Sequence, residues 1–204
     1  MTHLVTIIAS YLLGSVPSGL LLTKLKGIDI RKAGSGNIGF SNVMRVAGTD
    51  RKGKILGFLT LIGDMGKGIL AVKLAARFGA PLDPVLSGLF VFLGHLYPVW
   101  LRGKGGKGVA TGLGVALGIN LLLGFLACLP WALLFLLTRT PSIASLGSFA
   151  ILPVLSIPMV NRSWIGNHPL PPHTPLLFLI MGILVFLRHR ENIKRLISGK
   201  ENSI

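Results

Sequence analysis

The sequence predicts an all-α integral membrane protein, a seven-transmembrane-helix bundle with its N-terminus outside and its C-terminus in the cytoplasm. Of the 204 residues, 51% are hydrophobic and only 13% are charged, whereas soluble domains contain about 25% charged residues. Apolar stretches long enough to cross a bilayer recur along the chain. Basic residues lie mainly in every second connecting segment, as in membrane proteins whose cytoplasmic loops are rich in Lys and Arg. We expect residues 1–204 to form a single domain.

The first apolar stretch, residues 4–23, lacks the basic n-region and the cleavage site of a signal peptide, so we interpret it as the first span. Proline and small residues at 14–19 would kink this helix or let another helix approach closely. A basic segment, residues 24–54, separates it from a second span at 55–77. The third span, residues 85–100, ends in aromatic residues suited to the membrane interface.

The following apolar stretch, residues 109–138, could be one long tilted helix or two short helices broken at 118–120. Residues 142–160 and 174–187 are the remaining candidate spans. The tail from Arg188 onward is basic and is predicted to be a helix lying at the membrane surface.

The distribution of positive charge favours the break at 118–120. With the break there are seven spans, and 17 of the 21 basic residues fall in the segments that face the cytoplasm, which are 24–54, 100–108, Arg139 and 188–204. Without it, the basic tail would lie outside, against the usual bias of membrane proteins. The net charge of +15 is therefore explained by cytoplasmic loops, which would attract anionic lipids and substrates, and no nucleic-acid partner is expected.

Two glycine-rich basic segments on the predicted cytoplasmic face, residues 34–45 and 102–108, are candidates for binding phosphate. The first combines small residues, which let the backbone approach a ligand, with the guanidinium of Arg45. The second leads into a helix N-terminus and adds Lys104 and Lys107. Neither fits a nucleotide-binding motif, because the first follows no strand and the second lacks a Gly-Lys-Ser/Thr ending. A flexible basic loop contacting lipid head groups is the alternative for each, and two such loops on one face favour an anion site.

Three polar residues inside the predicted spans are candidates for a structural or catalytic role: Asp64, Lys67 and His95. Asp64 and Lys67 lie three residues apart on one helix face, where they could pair, and a structural ion pair is favoured over catalysis. His95 could bind substrate, act as a base, or form a hydrogen bond at the end of its helix.

On the cytoplasmic side, Ser142 could join the site or cap the next helix. One helical turn places Arg188 and Asn192 on the same face, directed toward the glycine-rich segments. The three histidines on the outer side are interpreted as bystanders: His3, His168 and His173.

Metal and cofactor chemistry is not expected from this sequence. Its one cysteine, Cys128, lies in an apolar stretch and provides neither a disulfide nor a thiolate metal site. The acidic residues of the cytoplasmic side, which are Asp29, Asp50, Glu191 and Glu201, occur singly. An enzyme with anion sites and no evident protein base would need an activated substrate, and a substrate phosphate to take the proton.

Six segments give the chain a resemblance to the bacterial membrane glycerol-3-phosphate acyltransferases that use acyl phosphate as donor, the PlsY family. In order, they are Gly14-Ser15-Val16-Pro17-Ser18-Gly19, residues 34–45, Asp64-Met65-Gly66-Lys67-Gly68, His95-Leu96-Tyr97-Pro98, Gly105-Gly106-Lys107-Gly108-Val109-Ala110-Thr111 and Arg188-His189-Arg190-Glu191-Asn192-Ile193. They extend over nearly the whole chain. One departure is Phe40-Ser41, where the family usually has Ala-Thr; Ser keeps the hydroxyl, and Phe40 adds bulk to the pocket.

The resemblance implies a protein of the bacterial inner membrane with seven spans, an outside N-terminus and an active site open to the cytoplasm. It implies that acyl phosphate and sn-glycerol 3-phosphate react to give lysophosphatidate and inorganic phosphate, the first acylation of phospholipid synthesis. The catalytic residues would be Ser35, Asn37, Arg45, Lys104, Ser142, His189 and Asn192. The substrate phosphates would be bound by Ser35, Gly36, Asn37, Gly39, Ser41, Asn42, Arg45, Lys104, Gly105, Gly106, Lys107, Gly108 and Thr111. No metal or cofactor is implied.

Two other classes of function remain open. A membrane transporter or channel for phosphate-like anions would also need cationic sites, but it should contain paired half-helices or an internal repeat, and the sequence contains neither. A non-catalytic lipid-binding scaffold would need only the positive charge. The expected partners are the two substrates and membrane lipid, and the soluble enzyme that forms acyl phosphate is a further candidate.

Overall fold

The computed structural model describes residues 1–48, 51–160 and 170–201, and within these residues the regular structure is helical. An isolated bridge joins Val160 to Leu170, and short 3-10 turns connect some of the helices. The α-helices are α1 (Thr2–Gly14), α2 (Ser18–Lys24), α3 (Phe40–Val46), α4 (Arg51–Phe78), α5 (Asp83–Leu96), α6 (Val109–Ile119), α7 (Leu121–Thr138), α8 (Pro141–Ser156), α9 (Thr174–Arg188) and α10 (Arg190–Ile197). Asp50 and His168, which entered the sequence analysis, lie outside the described residues.

Five helical segments in the described part of the chain are long and apolar enough to cross a membrane: Thr2–Lys24, Arg51–Phe78, Asp83–Leu101, Leu121–Thr138 and Pro141–Met159. Two further apolar helices, α6 and α9, have 11 and 15 residues. At about 1.5 Å per residue they are roughly 16 Å and 22 Å long, compared with a hydrocarbon core of about 30 Å. Large apolar side chains such as Phe58, Leu133 and Leu179 are exposed on the outside of the bundle, as expected for surfaces in contact with lipid.

The expected interruption near residues 14–19 is confirmed. Helix α1 ends at Gly14, and α2 begins at Ser18, directly after Pro17. A Cβ atom at Gly14 would collide with the carbonyl oxygen of Val91, so this glycine lets α1 pack closely against α5. The small residues therefore bring two helices together at the bend, as the sequence predicted.

The break within residues 109–138 is also confirmed. Helix α6 ends at Ile119, and Asn120 is extended, with φ −153° and ψ 128°. Its side-chain oxygen accepts a hydrogen bond from the backbone N–H of Leu123 at 3.0 Å, so Asn120 is the N-cap of α7.

The segment 24–54 is more ordered than the basic loop expected from the sequence. It contains a 3-10 turn at Ile30–Lys32 and helix α3, and α4 begins at Arg51 instead of residue 55. A small apolar cluster explains this order, because its members are buried against each other: Leu20, Ile30, Ile38, Val43 and Ala47. The basic residues surround this cluster and dominate the composition, which conceals the cluster in the sequence.

The main core lies where α4, α5 and α6 pack together and is extended by α7, α8 and α9. Helices α4 and α6 approach through small residues, since a Cβ atom at Gly68 would collide with the carbonyl oxygen of Thr111, and one at Gly114 with that of Met65. The close approach of these two helices fixes the positions of Asp64 and of the loop that precedes α6.

Candidate active site

A cavity of about 670 Å³ lies among the loop after α2, helices α3 to α8, and α10. Its polar wall is formed by Ser35, Asn37, Ser41, Arg45, Asp64, His95, Lys107, Ser142, Ser145, His189, Asn192, Arg195 and Glu201, together with Gly34, Gly39 and Gly108. Its apolar wall is formed by Phe40, Leu61, Met65, Val109, Ala110, Leu113, Cys128, Trp131, Ala132 and Pro141. One cavity thus combines charged groups with an apolar, alkyl-like surface.

Asn42 organises the first glycine-rich loop from inside. Its side-chain oxygen accepts a hydrogen bond from the backbone N–H of Ser35 at 2.9 Å, and its amide donates to the carbonyl oxygens of Ala33 and Asn37 at 3.0 and 2.8 Å. A Cβ atom at Gly34, whose φ is +58°, would collide with the side-chain oxygen of Asn42, so the tight turn requires glycine. Asn42 is fully buried, and its contacts present the side chains of Ser35 and Asn37 to the cavity.

The second glycine-rich loop is fixed by its own backbone groups. The N–H groups of Gly105 and Gly106 donate to the carbonyl oxygens of Leu96 and His95, both at 3.1 Å. The guanidinium of Arg188 donates to the carbonyl oxygens of Gly105 and Gly106 at 2.7 and 3.1 Å. It also lies 5.6 Å from the ring centroid of Tyr97.

These contacts decide which part of the second loop faces the cavity. The amide and carbonyl groups of Gly105 and Gly106 are used within the protein, whereas Lys107 and Gly108 line the cavity. Gly108 has φ +86° and is the N-cap of α6.

Three polar side chains donate hydrogen bonds to the carboxylate of Glu201, and a fourth, Lys107, donates to one of these three. Ser142 Oγ and Asn192 Nδ2 donate to Oε1 at 2.8 and 2.6 Å, and Arg195 Nε donates to Oε2 at 2.7 Å. Lys107 Nζ in turn donates to the side-chain oxygen of Asn192. Burial raises the pKa of the Glu201 carboxyl, but the hydrogen bonds from Asn192, Arg195 and Ser142 outweigh it and hold that pKa below its usual value.

The same surroundings alter the titration of Lys107. Burial lowers the pKa of the Lys107 ammonium to about 8, although the negative charge of Glu201 opposes this change. The positive charge of Lys107 is therefore sensitive to pH near neutrality.

His189 is a neutral hydrogen-bond acceptor toward the cavity. Burial, followed by the positive charge of Lys107, lowers the pKa of its imidazole to about 4. Nδ1 lies 2.8 Å from the carbonyl oxygen of Val185, which can only accept, so Nδ1 carries the proton. The lone pair is then on Nε2, and His189 lines the cavity.

A buried cluster of Asp64, Lys67 and His95 contributes two of its members, Asp64 and His95, to the polar wall of the cavity. Lys67 Nζ lies 2.9 Å from Asp64 Oδ1, which confirms the expected ion pair, and it donates to the carbonyl oxygen of Val16 at 2.9 Å. Asp64 Oδ1 thus has an ionic contact with Lys67 but no hydrogen bond among the described residues. Nζ also lies 2.9 Å from His95 Nδ1.

The apolar wall is closed by aromatic rings. Phe40 meets Trp131 edge to face with centroids 6.2 Å apart, and Trp131 stacks on Phe135 at 5.3 Å. The indole N–H of Trp131 donates to Ser145 Oγ at 3.3 Å, which fixes the ring. The bulk that Phe40 adds to the first loop is thus part of the wall of the apolar region.

Comparison with known proteins identifies the family of the chain. The family model described as glycerol-3-phosphate acyltransferase matches residues 4–199. The chain belongs to the glycerol-3-phosphate acyltransferase family. Glycerol-3-phosphate acyltransferases of Pelagibacter ubique and Caulobacter vibrioides are 40% and 44% identical to it, each over 98% of this chain and over 97% and 87% of their own lengths.

Solved structures of the family agree with this assignment. The crystal structure of PlsY (YgiH), an integral membrane glycerol 3-phosphate acyltransferase, in its glycerol 3-phosphate form is 35% identical, with a TM-score of 0.88 over 100% of this chain and 96% of that one. The lysophosphatidic acid form has a TM-score of 0.85 at 34% identity, with the same coverage. This acyltransferase chain is accordingly a multi-pass membrane protein.

The structure brings most, but not all, of the sequence-predicted site residues of the acyltransferase to the cavity. Six of the seven expected catalytic residues line it: Ser35, Asn37, Arg45, Ser142, His189 and Asn192. Lys104 does not; its side chain is exposed and has no partner among the described residues. Of the other expected phosphate-binding residues, which were not also expected to be catalytic, Gly39, Ser41, Lys107 and Gly108 line the cavity, whereas Gly36, Asn42, Gly105, Gly106 and Thr111 do not.

Three residues have different contacts in the acyltransferase from those that the sequence suggested. Thr111 is fully buried within α6, with no hydrogen bond at Oγ1 among the described residues. Ser142 lies inside α8 and bonds Glu201, so it does not cap that helix, whose N-cap is Thr140. His3, interpreted as a bystander, forms a hydrogen bond with the buried carboxylate of Asp83.

Three polar residues of the acyltransferase cavity were not considered as site candidates from the sequence: Ser145, Arg195 and Glu201. Ser145 follows Ser142 by three residues in α8. Arg195 follows Asn192 by three residues in α10, so helical periodicity could have placed both on one face. Glu201 comes after a turn at Gly199, whose φ is +66°, and no signal in the sequence indicates where that turn leads.

Proposed function

We propose that this acyltransferase transfers an acyl group from acyl phosphate to sn-glycerol 3-phosphate, giving 1-acylglycerol 3-phosphate (lysophosphatidate) and inorganic phosphate, without metal or cofactor. The observation that carries the proposal is a single cavity in which cationic and hydroxyl groups adjoin an apolar wall. Acyl phosphate combines both chemistries in one molecule. The known glycerol 3-phosphate and lysophosphatidic acid forms of a structurally similar PlsY support the acceptor and the product.

The two loops are proposed to bind the two phosphates. Ser35, Asn37 and Ser41 supply neutral donors, and Arg45 supplies a planar guanidinium suited to phosphate oxygens. Lys107 and the N-terminus of α6, which begins after Gly108, face the same space. Lys104 is free to approach a bound phosphate because its side chain is exposed.

The cluster around Glu201 is proposed to orient the acceptor. Ser142, Asn192 and Arg195 are held at one point by the same carboxylate, which fixes them before substrate binds. His189 Nε2 accepts a hydrogen bond from a glycerol hydroxyl. Since the pKa of His189 is about 4, it is a weak base, and its role is to direct the hydroxyl and not to remove its proton.

The chemistry then requires no protein nucleophile. The acceptor hydroxyl oxygen attacks the acyl carbon, a C–O ester bond forms, and the C–O bond to phosphate breaks. The phosphate leaves with the bonding electrons and takes the hydroxyl proton. Binding both substrates in one cavity supplies proximity, and the cationic wall stabilises the charge that develops on the leaving phosphate.

The test is phosphate release by purified protein in lipid, with acyl phosphate as the only acyl donor. Release that requires glycerol 3-phosphate and is matched one-to-one by lysophosphatidate supports the proposal. Release without the acceptor would indicate a hydrolase. No release from folded protein would contradict the donor assignment, and uptake of phosphate into sealed vesicles would then test the transporter alternative.

We also propose that the single domain crosses the bacterial inner membrane seven times, with the N-terminus outside and the cavity facing the cytoplasm. The break at Asn120 supports this, because it separates α6 from α7 and so allows the chain to reverse direction between them. In a Cys128→Ala background, Lys52→Cys and Lys200→Cys should react with an impermeant maleimide only from the cytoplasmic side, and Pro81→Cys and Leu121→Cys only from outside. Cytoplasmic labelling at position 121 would contradict the seven-span topology.

A further inference from the structure

We infer that His95 is a further catalytic residue of this reaction, whose Nε2–H donates a hydrogen bond to the acyl carbonyl oxygen as that oxygen gains negative charge. The inference deepens the function proposed above and rests on it. It follows from the position of the imidazole, from the atom that carries its proton, and from the charges around it.

The position of His95 places its Nε2 beside the second glycine-rich loop. His95 is near the end of α5, is only 4% exposed, and lines the cavity with Asp64. A Cβ atom at Gly106 would collide with Nε2, so the imidazole lies directly against this glycine. Lys107, the next residue, is a proposed ligand of phosphate. Nε2 is therefore adjacent to the place where the acyl phosphate would bind.

The Lys67 ammonium determines which nitrogen of His95 carries the proton. An ammonium group can only donate, and its Nζ lies 2.9 Å from Nδ1, so Nδ1 is the acceptor. Asp64 Oδ1 is 3.6 Å from Nδ1, too far for a hydrogen bond that would draw a proton onto that nitrogen. The proton of a neutral imidazole is then on Nε2.

The charges of the cluster favour the neutral imidazole. Asp64 and Lys67 neutralise each other, and both are almost completely buried. A protonated His95 would add an uncompensated buried charge, which is costly in a low-dielectric interior. No described residue accepts a hydrogen bond from Nε2, so the N–H is available to a ligand in the cavity.

The two kinds of group that line the cavity together with His95 identify the substrate atom. Arg45, Lys107 and Arg195 provide the positive charge of the cavity, whereas Leu61 and Met65, on the same helix as Asp64, begin its apolar wall. In acyl phosphate, the carbonyl group lies between the phosphate and the alkyl chain. A neutral donor at this boundary fits a carbonyl oxygen that becomes an oxyanion during attack. His95 keeps its proton throughout, and the proton of the acceptor hydroxyl ends on the phosphate.

The first test compares His95→Gln with His95→Leu and with the control His173→Gln, which alters an exposed histidine outside the cavity. The Leu variant should lose about 10²–10³-fold in kcat per folded molecule, the usual loss when one oxyanion donor is removed. KM for glycerol 3-phosphate should be unchanged. Gln supplies an N–H in place of Nε2–H and should recover at least about a tenth of wild-type kcat.

The outcomes separate the possible roles of His95. A Gln variant as inactive as the Leu variant would indicate a base or a cation and would overturn the inference. A Leu variant with wild-type kcat per folded molecule would overturn it as well, with the proposed function intact. A folded wild-type protein that released no phosphate would instead overturn the proposed function and this inference together.

The second test does not depend on activity or on the folding of the Leu variant. The wild-type protein is labelled with ¹⁵N in histidine only, and the His95 signals are assigned as those missing from the Gln variant. The expected spectrum has an unprotonated Nδ1 and a protonated Nε2. A protonated Nδ1, alone or together with Nε2, would overturn the inference.

Discussion

Replacing Arg188 with Met should disorder the second glycine-rich loop and reduce catalysis. Arg188 makes two hydrogen bonds to the carbonyl oxygens of Gly105 and Gly106 and a cation–π contact with Tyr97. Hydrogen bonds from a charged group contribute about 1.5–3 kcal/mol each. Because Arg188 is partly exposed, the lower end of this range applies, and the two bonds together contribute about 3 kcal/mol. At about 1.4 kcal/mol per factor of ten, this predicts a loss of roughly 10²-fold in kcat/KM.

The assay measures kcat/KM for glycerol 3-phosphate at fixed acyl phosphate, together with amide hydrogen exchange of Gly105 and Gly106. Both amides should exchange faster in Arg188→Met. Without the bonds from Arg188 to the glycine carbonyls, the loop is held only by the N–H bonds to the carbonyl oxygens of Leu96 and His95, and these should open more often. Arg188→Lys should recover part of the activity but not the two parallel bonds. The matched control is Arg190→Met, since the Arg190 side chain is 80% exposed and pairs only weakly with Glu191.

The reasoning would be refuted if Arg188→Met retained wild-type kcat/KM. It would also be refuted if the loss of activity came with unchanged exchange at both glycines, since the loop would then not be the element affected.

Four further predictions concern Lys107, the first glycine-rich loop and the apolar wall. The kcat/KM for glycerol 3-phosphate should fall as pH rises through about 8, because Lys107 loses its charge there. Lys107→Arg should move this fall to higher pH. Glu201→Gln should move it to lower pH, because the negative charge of Glu201 raises the pKa of Lys107. Since the pKa of Lys107 is lowered in the folded state, its contribution to the free energy of unfolding should rise between about pH 8 and the usual lysine range, as pH-dependent thermal unfolding would measure. Asn42→Asp should lower Tm more than Asn42→Ala, because a carboxylate cannot donate to two carbonyl oxygens that the amide now bonds. Phe40→Ala should change the preference among acyl phosphates of different chain length, with little effect on KM for glycerol 3-phosphate, because Phe40 contacts Trp131 in the apolar wall; an unchanged chain-length profile would contradict this role.

Much of the fold could be predicted from the sequence because hydropathy reports directly on which residues avoid water. The bend after Gly14 and the break before α7 were both visible as Pro, Gly or Asn within apolar stretches. Helix α3 was not predicted, because its apolar cluster is small and basic residues surround it. The average composition of the segment 24–54 is basic and polar, so it does not reveal the few apolar residues that form this cluster.

The candidate site was predictable where the residues are close in sequence and not where they meet through tertiary contacts. Asp64 and Lys67 lie on one helix, and their pairing follows from helical spacing, but the third member, His95, comes from another helix. Asn42 was expected to bind phosphate, whereas its polar atoms shape the loop. The amide groups of Gly105 and Gly106 were expected to bind phosphate. In the fold they donate hydrogen bonds to the carbonyl oxygens of Leu96 and His95, because the loop folds back against the end of α5.

The spacing of Asp64 and Lys67 also affects how the chain can enter the membrane during synthesis. Each charge alone would oppose the partition of α4 from the translocon into lipid by about 2.5–3.5 kcal/mol. Asp64 and Lys67 lie one turn apart on the same helix and form an ion pair at 2.9 Å. The two charges can therefore enter the membrane as a neutral pair before α5 has been synthesised. His95 arrives later, on α5, and adds no charge of its own if it is neutral. Exchanging the partners between helices would preserve the final cluster but would leave each nascent helix with an isolated charge.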